Sequence, residues 1–248
     1  MKPTHWIILT ALLIFAPSSW SAFDVAPAEM QACQMKAGAS QQDLEAFFKN
    51  ADTWFEEVGG TFDWWMATPH YRRPDGNPWS FLMMGFWPNF DEQLIGLKAF
   101  YTTDRGREVA QQFSEVMECG ANIHFNTIEV RKEKRNEELS QGFGHMFDCT
   151  MNEGKTPQDV AETFQVWNAY LDEQGVDHGV TAMFPRTGNA NSTAGAFKFL
   201  WGGEFENVGK TLELIARDEA QAAWAKIIGK TFACEAYNRG YYFRKISR

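Results

Sequence analysis

The sequence predicts an α+β protein built from two tandem βαββαβ units. Three observations carry that expectation. Cys33 to Gly59 superimposes on Cys149 to Gly175 without a gap, at a constant offset of 116. Each copy shows a short apolar run, a well-started helical stripe, and further short strand-like runs separated by Gly- and Pro-containing loops. Finally, 44% of the 248 residues are hydrophobic and 22% charged, a globular composition with chain enough for a sizeable core. With 32 Asp+Glu against 23 Lys+Arg the formal net charge is −9, so phosphate-rich partners such as nucleic acid would be repelled.

The elements follow in order. Residues 1–21 read as a secretory signal: Lys2 and His5 precede the apolar run Trp6 to Ala16, and Pro17 breaks it. Ser19 and Ser21 then stand at −3 and −1 of a cut after Ser21. The run is shorter than the roughly 20 residues a membrane span needs. The expectation is therefore a periplasmic or secreted chain, with no stable membrane insertion once the signal is removed.

The first repeat occupies 22–130. A strand near Ala32 to Lys36 leads to a helix with Ser40 as N-cap and Asp43 three residues on. Leu44, Phe47, Phe48, Ala51, Trp54, Phe55 and Val58 form its buried stripe, and Gly59 stops it. Strands follow at Phe62 to Thr68 and Phe81 to Phe86, then a helical region ending at Cys119, then a strand at Ile123 to Val130. Adjacent Trp64 and Trp65 point to opposite faces of their strand, so they cannot share one core. A linker is expected over 131–148, with His145 in a flexible Gly-rich stretch.

The second repeat, 149–248, restates the pattern. Thr156, Pro157 and Asp159 start its helix and Gly175 ends it. Strands are expected at Val176 to Phe184, Phe197 to Gly202 and Tyr237 to Lys245, with a helical region ending at Cys234. Phe81-Leu82 pairs with Phe199-Leu200, Gly85 with Gly203, and Cys119 with Cys234 at an offset of 115. Such a series marks a tandem duplication.

The βαββαβ order is the ferredoxin-like arrangement. Two such units in one exported chain resemble the dimeric α/β-barrel superfamily in a fused, single-chain form. The resemblance covers nearly the whole mature chain and rests on element order and duplication. It implies two sheets facing each other as a pseudo-dimeric α/β barrel, helices outside, and a monomer, since both halves are already joined.

Four cysteines leave three pairings open. No CxxC pair and no nearby His accompanies them, which argues against zinc or thioredoxin-type chemistry. In the fold the resemblance implies, strands one and four are neighbours. The expected bridges are then Cys33–Cys119 and Cys149–Cys234, one per repeat.

Strand alternation under that fold places a set of polar residues in the space between the sheets. Lys36, His124, Asn126, Asn152, Lys198, Arg239 and Tyr241 form this expected binding surface. His124 and Asn126 are matched to Arg239 and Tyr241, and the loops at His70 and Arg186 form the entrance. The basic members suit an anionic or small aromatic ligand. No phosphate loop, nucleophile elbow or HExxH pattern appears, so no reaction is assigned and no metal is expected. No motif calls for a cofactor. Resemblance to haem-dependent and cofactor-free monooxygenase members of the superfamily nevertheless keeps an enzyme in view, with His124 or His178 as a haem ligand. A third reading is an interaction protein using the Trp-rich loops near Trp79 and Trp87.

Overall fold

A computed structural model describes residues 23–59, 61–70, 80–133, 139–187, 194–235 and 239–246. The expected signal at 1–21 lies outside them, as do Trp79 and most of the loop after His70. The first repeat comprises β1 (Val25–Met35), α1 (Gln41–Glu57), β2 (Asp63–Pro69), β3 (Phe81–Phe86), α2 (Phe90–Thr102), α3 (Asp104–Val116), β4 (Met117–Cys119) and β5 (Ile123–Arg131). The second comprises β6 (Gln141–Met151), α4 (Pro157–Glu173), β7 (Gly179–Thr187), β8 (Ala196–Gly203), α5 (Phe205–Ile215), α6 (Asp218–Ile228), β9 (Phe232–Cys234) and β10 (Arg239–Lys245). Among the described residues no helix is long and apolar enough to cross a membrane.

Local chemistry explains the helix ends. Ser40 and Thr156 each close a capping box with the Asp three residues on, and Gly59 and Gly175 take left-handed φ values of 67° and 68° just past the two helices. The single helical region expected before each later Cys is two helices. In the first repeat Thr103 is extended, which ends α2, and its hydroxyl accepts from Gly106 N at 2.9 Å, which starts α3. Neither later Cys ends a helix: Cys119 and Cys234 sit on the short strands β4 and β9. Residues 141–148, read as linker, belong to β6, and His145 is a buried strand residue at 4% exposure.

All pairings among the described residues are antiparallel. Each repeat has the ferredoxin-like order, β2-β3-β1-β5 and β7-β8-β6-β10. The expectation of two separate sheets facing each other is corrected at the edges. β5 pairs with β7 and β10 pairs with β2, so the eight long strands close into one barrel. Closure removes the exposed strand edges that two open sheets would leave. Arg131 reinforces one seam: at the end of β5 it donates to Asp172 Oδ1 (2.8 Å) and Val176 O (2.7 Å) of the second repeat.

Three cores follow from strand alternation. The inner faces fill the barrel centre with Ala28, Met30, Met84, Phe125, Met146, Met183, Tyr241 and Phe243. The outer faces pack under α1 and α3 in one repeat and under α4–α6 in the other. Trp64 joins a helix-side core and Trp65 the barrel core, as their alternation requires. Both expected disulfides are present, Cys33–Cys119 and Cys149–Cys234, each between directly opposed residues of paired strands.

Candidate functional site

The nine residues expected to line one site fall into separate places. Lys198, Arg239 and Tyr241 do share the barrel's inner face. They meet Asp148, which pairs with Lys198 and lies 3.5 Å from Arg239 Nη2. That carboxylate offsets the cationic surface on which anion binding was expected. Burial pushes the Tyr241 hydroxyl above its ordinary range, and the Arg239 charge opposes the shift.

His124 and Asn126 point outward. Ile123 and Phe125 pack into the barrel core, so their neighbours on β5 must face the other way. The error was one of register. Phe125 pairs with Ala28, and Tyr241 pairs with Gly144, the residue equivalent to Ala28, so strand four follows the offset of 116. Taking 115 from Cys119 and Cys234 slipped the alignment by one, which exchanges the two faces. Arg186 also lies outside, donating to Gln93 Oε1 (3.3 Å) and standing 5.2 Å over the Phe90 ring. Lys36 and Asn152 are exposed beyond their strands, with Asn152 Nδ2 donating to Gly229 O at 3.0 Å. His70 packs edge-on to Phe143 outside the barrel.

The best-formed candidate site lies between the outer face of the second repeat's sheet and its helices. A cavity of about 530 Å³ is walled by Phe147, Phe199 and Trp201 from the sheet and by Phe164, Trp167 and Trp224 from the helices. The helix-side aromatics arise from the stripe on α4 and from Trp224 on α6, while Phe199 and Trp201 are alternate residues of β8. The polar groups on its lining include His178 and Thr211.

His178, 3% exposed, places Nδ1 2.8 Å from Thr211 Oγ1. Thr211 commits its one hydroxyl hydrogen to Asn207 O at 2.9 Å. Nδ1 must therefore carry the imidazole proton and donate it, leaving Nε2 as a bare acceptor. Burial first, and the Arg131 charge second, push the ring's pKa down to about 3. At neutral pH it is an uncharged acceptor in an aromatic box. His145 stacks on Trp201 at 4.8 Å between centroids and His178 lies 5.1 Å from the same ring.

The equivalent cavity of the first repeat is smaller, about 330 Å³, and lies under α1–α3. The register of β1 with β3 matches that of β6 with β8 when Phe81 is aligned with Phe197, rather than with Phe199 as the sequence match suggested. Gly85 then occupies the place of Trp201, Phe62 that of His178, and Glu29 that of His145. A third cavity, about 520 Å³, opens at the barrel mouth, walled by Trp65, Phe86 and Phe243 and by Gly142, Gly179 and Gly202.

Sequence reasoning missed Thr211, Asp148 and Glu29. The offset of 116 does pair Glu29 with His145, one ionisable residue opposite another, and that was a usable signal. Thr211 carried only its place in the stripe Asn207, Val208, Thr211, Leu214.

The residues present can be tested against a metal ion and against the haem that the resemblance keeps in view. No cluster of three or more His, Cys, Asp or Glu suited to a metal ion occurs among the described residues. For haem, His178 offers Nε2, but the described lining supplies no Lys or Arg for the haem carboxylates and adds Glu235 instead. His124 lines none of the three cavities. These residues do not fit haem.

No family model matches the chain, and no curated protein matches it. Solved structures do. A candidate monooxygenase from Fusobacterium nucleatum subsp. nucleatum superimposes with a TM-score of 0.53 at 8% identity, covering 90% of this chain and 93% of that one. One from Lactobacillus acidophilus gives 0.51 at 6% identity, covering 90% and 94%. At such identities the likeness is one of fold, and it agrees with the fold-level resemblance to dimeric α/β barrels.

Proposed function

We propose that the chain is an exported, monomeric small-molecule binding protein that takes a small phenol-like aromatic under the helices of its second repeat. The observation that carries this reading is the neutral His178 acceptor, fixed in one tautomer inside an aromatic cavity. Aromatic walls supply the apolar contact area, and one oriented acceptor selects a ring bearing a hydrogen-bond donor. An anion finds no cation among the described lining residues.

A base-catalysed reaction at this site is disfavoured, because an imidazole with a pKa near 3 is a poor proton acceptor from a phenol or activated carbon at neutral pH. Export is supported by the N-terminal pattern and by the two disulfides, which suit an oxidising compartment. The monomer is supported by barrel closure within one chain.

Calorimetric titration with p-cresol and its methyl ether tests the reading. The phenol is expected to bind about tenfold tighter, the equivalent of one net hydrogen bond of roughly 1.4 kcal/mol. In His178→Phe, which copies Phe62 of the first repeat, that preference disappears. Equal binding of phenol and ether by the unmodified chain would overturn the proposal.

A further inference from the structure

The first repeat's cavity carries different polar groups. Its one ionisable acid is Glu29, and the residues lining it include no Lys, Arg or His. Burial drives the Glu29 pKa upward, opposed by a hydrogen bond from Asn122 Nδ2 to its Oε2 at 2.7 Å. His124 is the cross-strand neighbour of Glu29 but is not on the cavity's lining, and burial and the Arg186 charge depress its pKa.

Two further buried polar atoms on this lining have no hydrogen-bond partner among the described residues: Asn122 Oδ1 and Trp54 Nε1. Trp54 is only 2% exposed, so its unpaired N–H is cut off from water as well. The walls are aromatic, with Phe55, Phe62, Trp64 and Phe100 on the same lining. Gly85 lets the Phe62 ring pack directly against the strand beside Glu29, since a Cβ there would collide with that ring.

We infer that this cavity is a second binding site, selective for a small primary ammonium with an apolar or aryl body. Glu29 is half-buried with no cation on the lining beside it; an ammonium bound there would favour its ionised form, and the aromatic faces attract the same cation. Glu29, oriented by the Asn122 Nδ2 hydrogen bond, presents its carboxyl oxygens to the N–H groups of an ammonium. The duplication has thus diverged at equivalent positions, with an acid in one repeat and imidazoles in the other, and the two cavities select different ligands.

The test is calorimetric titration of the unmodified chain at neutral pH with 2-phenylethylammonium, 2-phenylethanol and phenylacetate. The ammonium is expected to bind at least tenfold tighter than the alcohol and the anion weakest. In Glu29→Gln the ammonium preference is lost while p-cresol binding at the second repeat is unchanged, which also reports that the variant is folded. Should Glu29→Gln not fold, Gly96→Leu serves instead. Its side chain enters the cavity from α2 and replaces a helical Gly, and it should abolish ammonium binding. Alcohol binding as tight as the ammonium, a preference retained in Glu29→Gln or Gly96→Leu, or no binding of the three ligands would each overturn the inference.

Discussion

Lowering the pH should expose His178 directly. Its folded pKa is about 3 against an ordinary value of 6.5, so the folded state resists a proton that the unfolded state accepts. A group whose folded pKa is depressed contributes stability above its unfolded pKa and loses it as pH falls through the interval. Here that interval runs from 6.5 down to about 3. Each pH unit within it costs about 1.36 kcal/mol, so the step from pH 7 to 4.5 should remove about 2–3 kcal/mol through this residue. Urea unfolding of the unmodified chain and of His178→Gln at both pH values measures it. Glutamine still offers Thr211 a donor but cannot titrate. Glu29 works in the other direction, because its raised pKa favours the fold as pH falls, but it is common to both chains and cancels in their difference. The expected result is a loss about 2–3 kcal/mol larger in the unmodified chain. Equal losses would refute the assignment of His178 as a buried neutral imidazole.

Other perturbations have equally definite outcomes. Removing the first bridge with Cys33→Ser and Cys119→Ser, which frees a segment of 86 residues, should cost about 2–5 kcal/mol in chemical denaturation. Leu171→Ala, at a fully buried position of α4, should cost about 2–5 kcal/mol and lower Tm accordingly. Thr156→Ala removes a capping box and should cost about 1 kcal/mol at neutral pH. That cost should fade as pH falls below 3.8 toward about 2, where Asp159 takes up its proton in the folded chain.

How much could be read beforehand depends on the range of the interactions involved. The helix starts at Ser40 and Thr156 and the stops at Gly59 and Gly175 are local, set by residues within a turn of each other, and they emerge directly from the residue pattern. The disulfide pairing needed one longer step, from duplication to strand adjacency, and that step held. Barrel closure is different, because the β5–β7 and β10–β2 seams join residues far apart in the chain and leave no periodic trace. Face assignment on β5 failed for a narrower reason. One extra residue separates Cys234 from its closing strand relative to Cys119, and a period of two converts a shift of one into a complete inversion. Thr211 and Asp148 acquire meaning only through partners on other elements, His178 for one and Lys198 with Arg239 for the other.

The most direct measurement is a crystal structure of the chain with p-cresol bound. The account predicts the ring between Trp167 and Phe199, with its hydroxyl donating to His178 Nε2 and His178 Nδ1 still on Thr211. A ring seated instead at the barrel mouth or beside Asp148, Lys198 and Arg239 would contradict it.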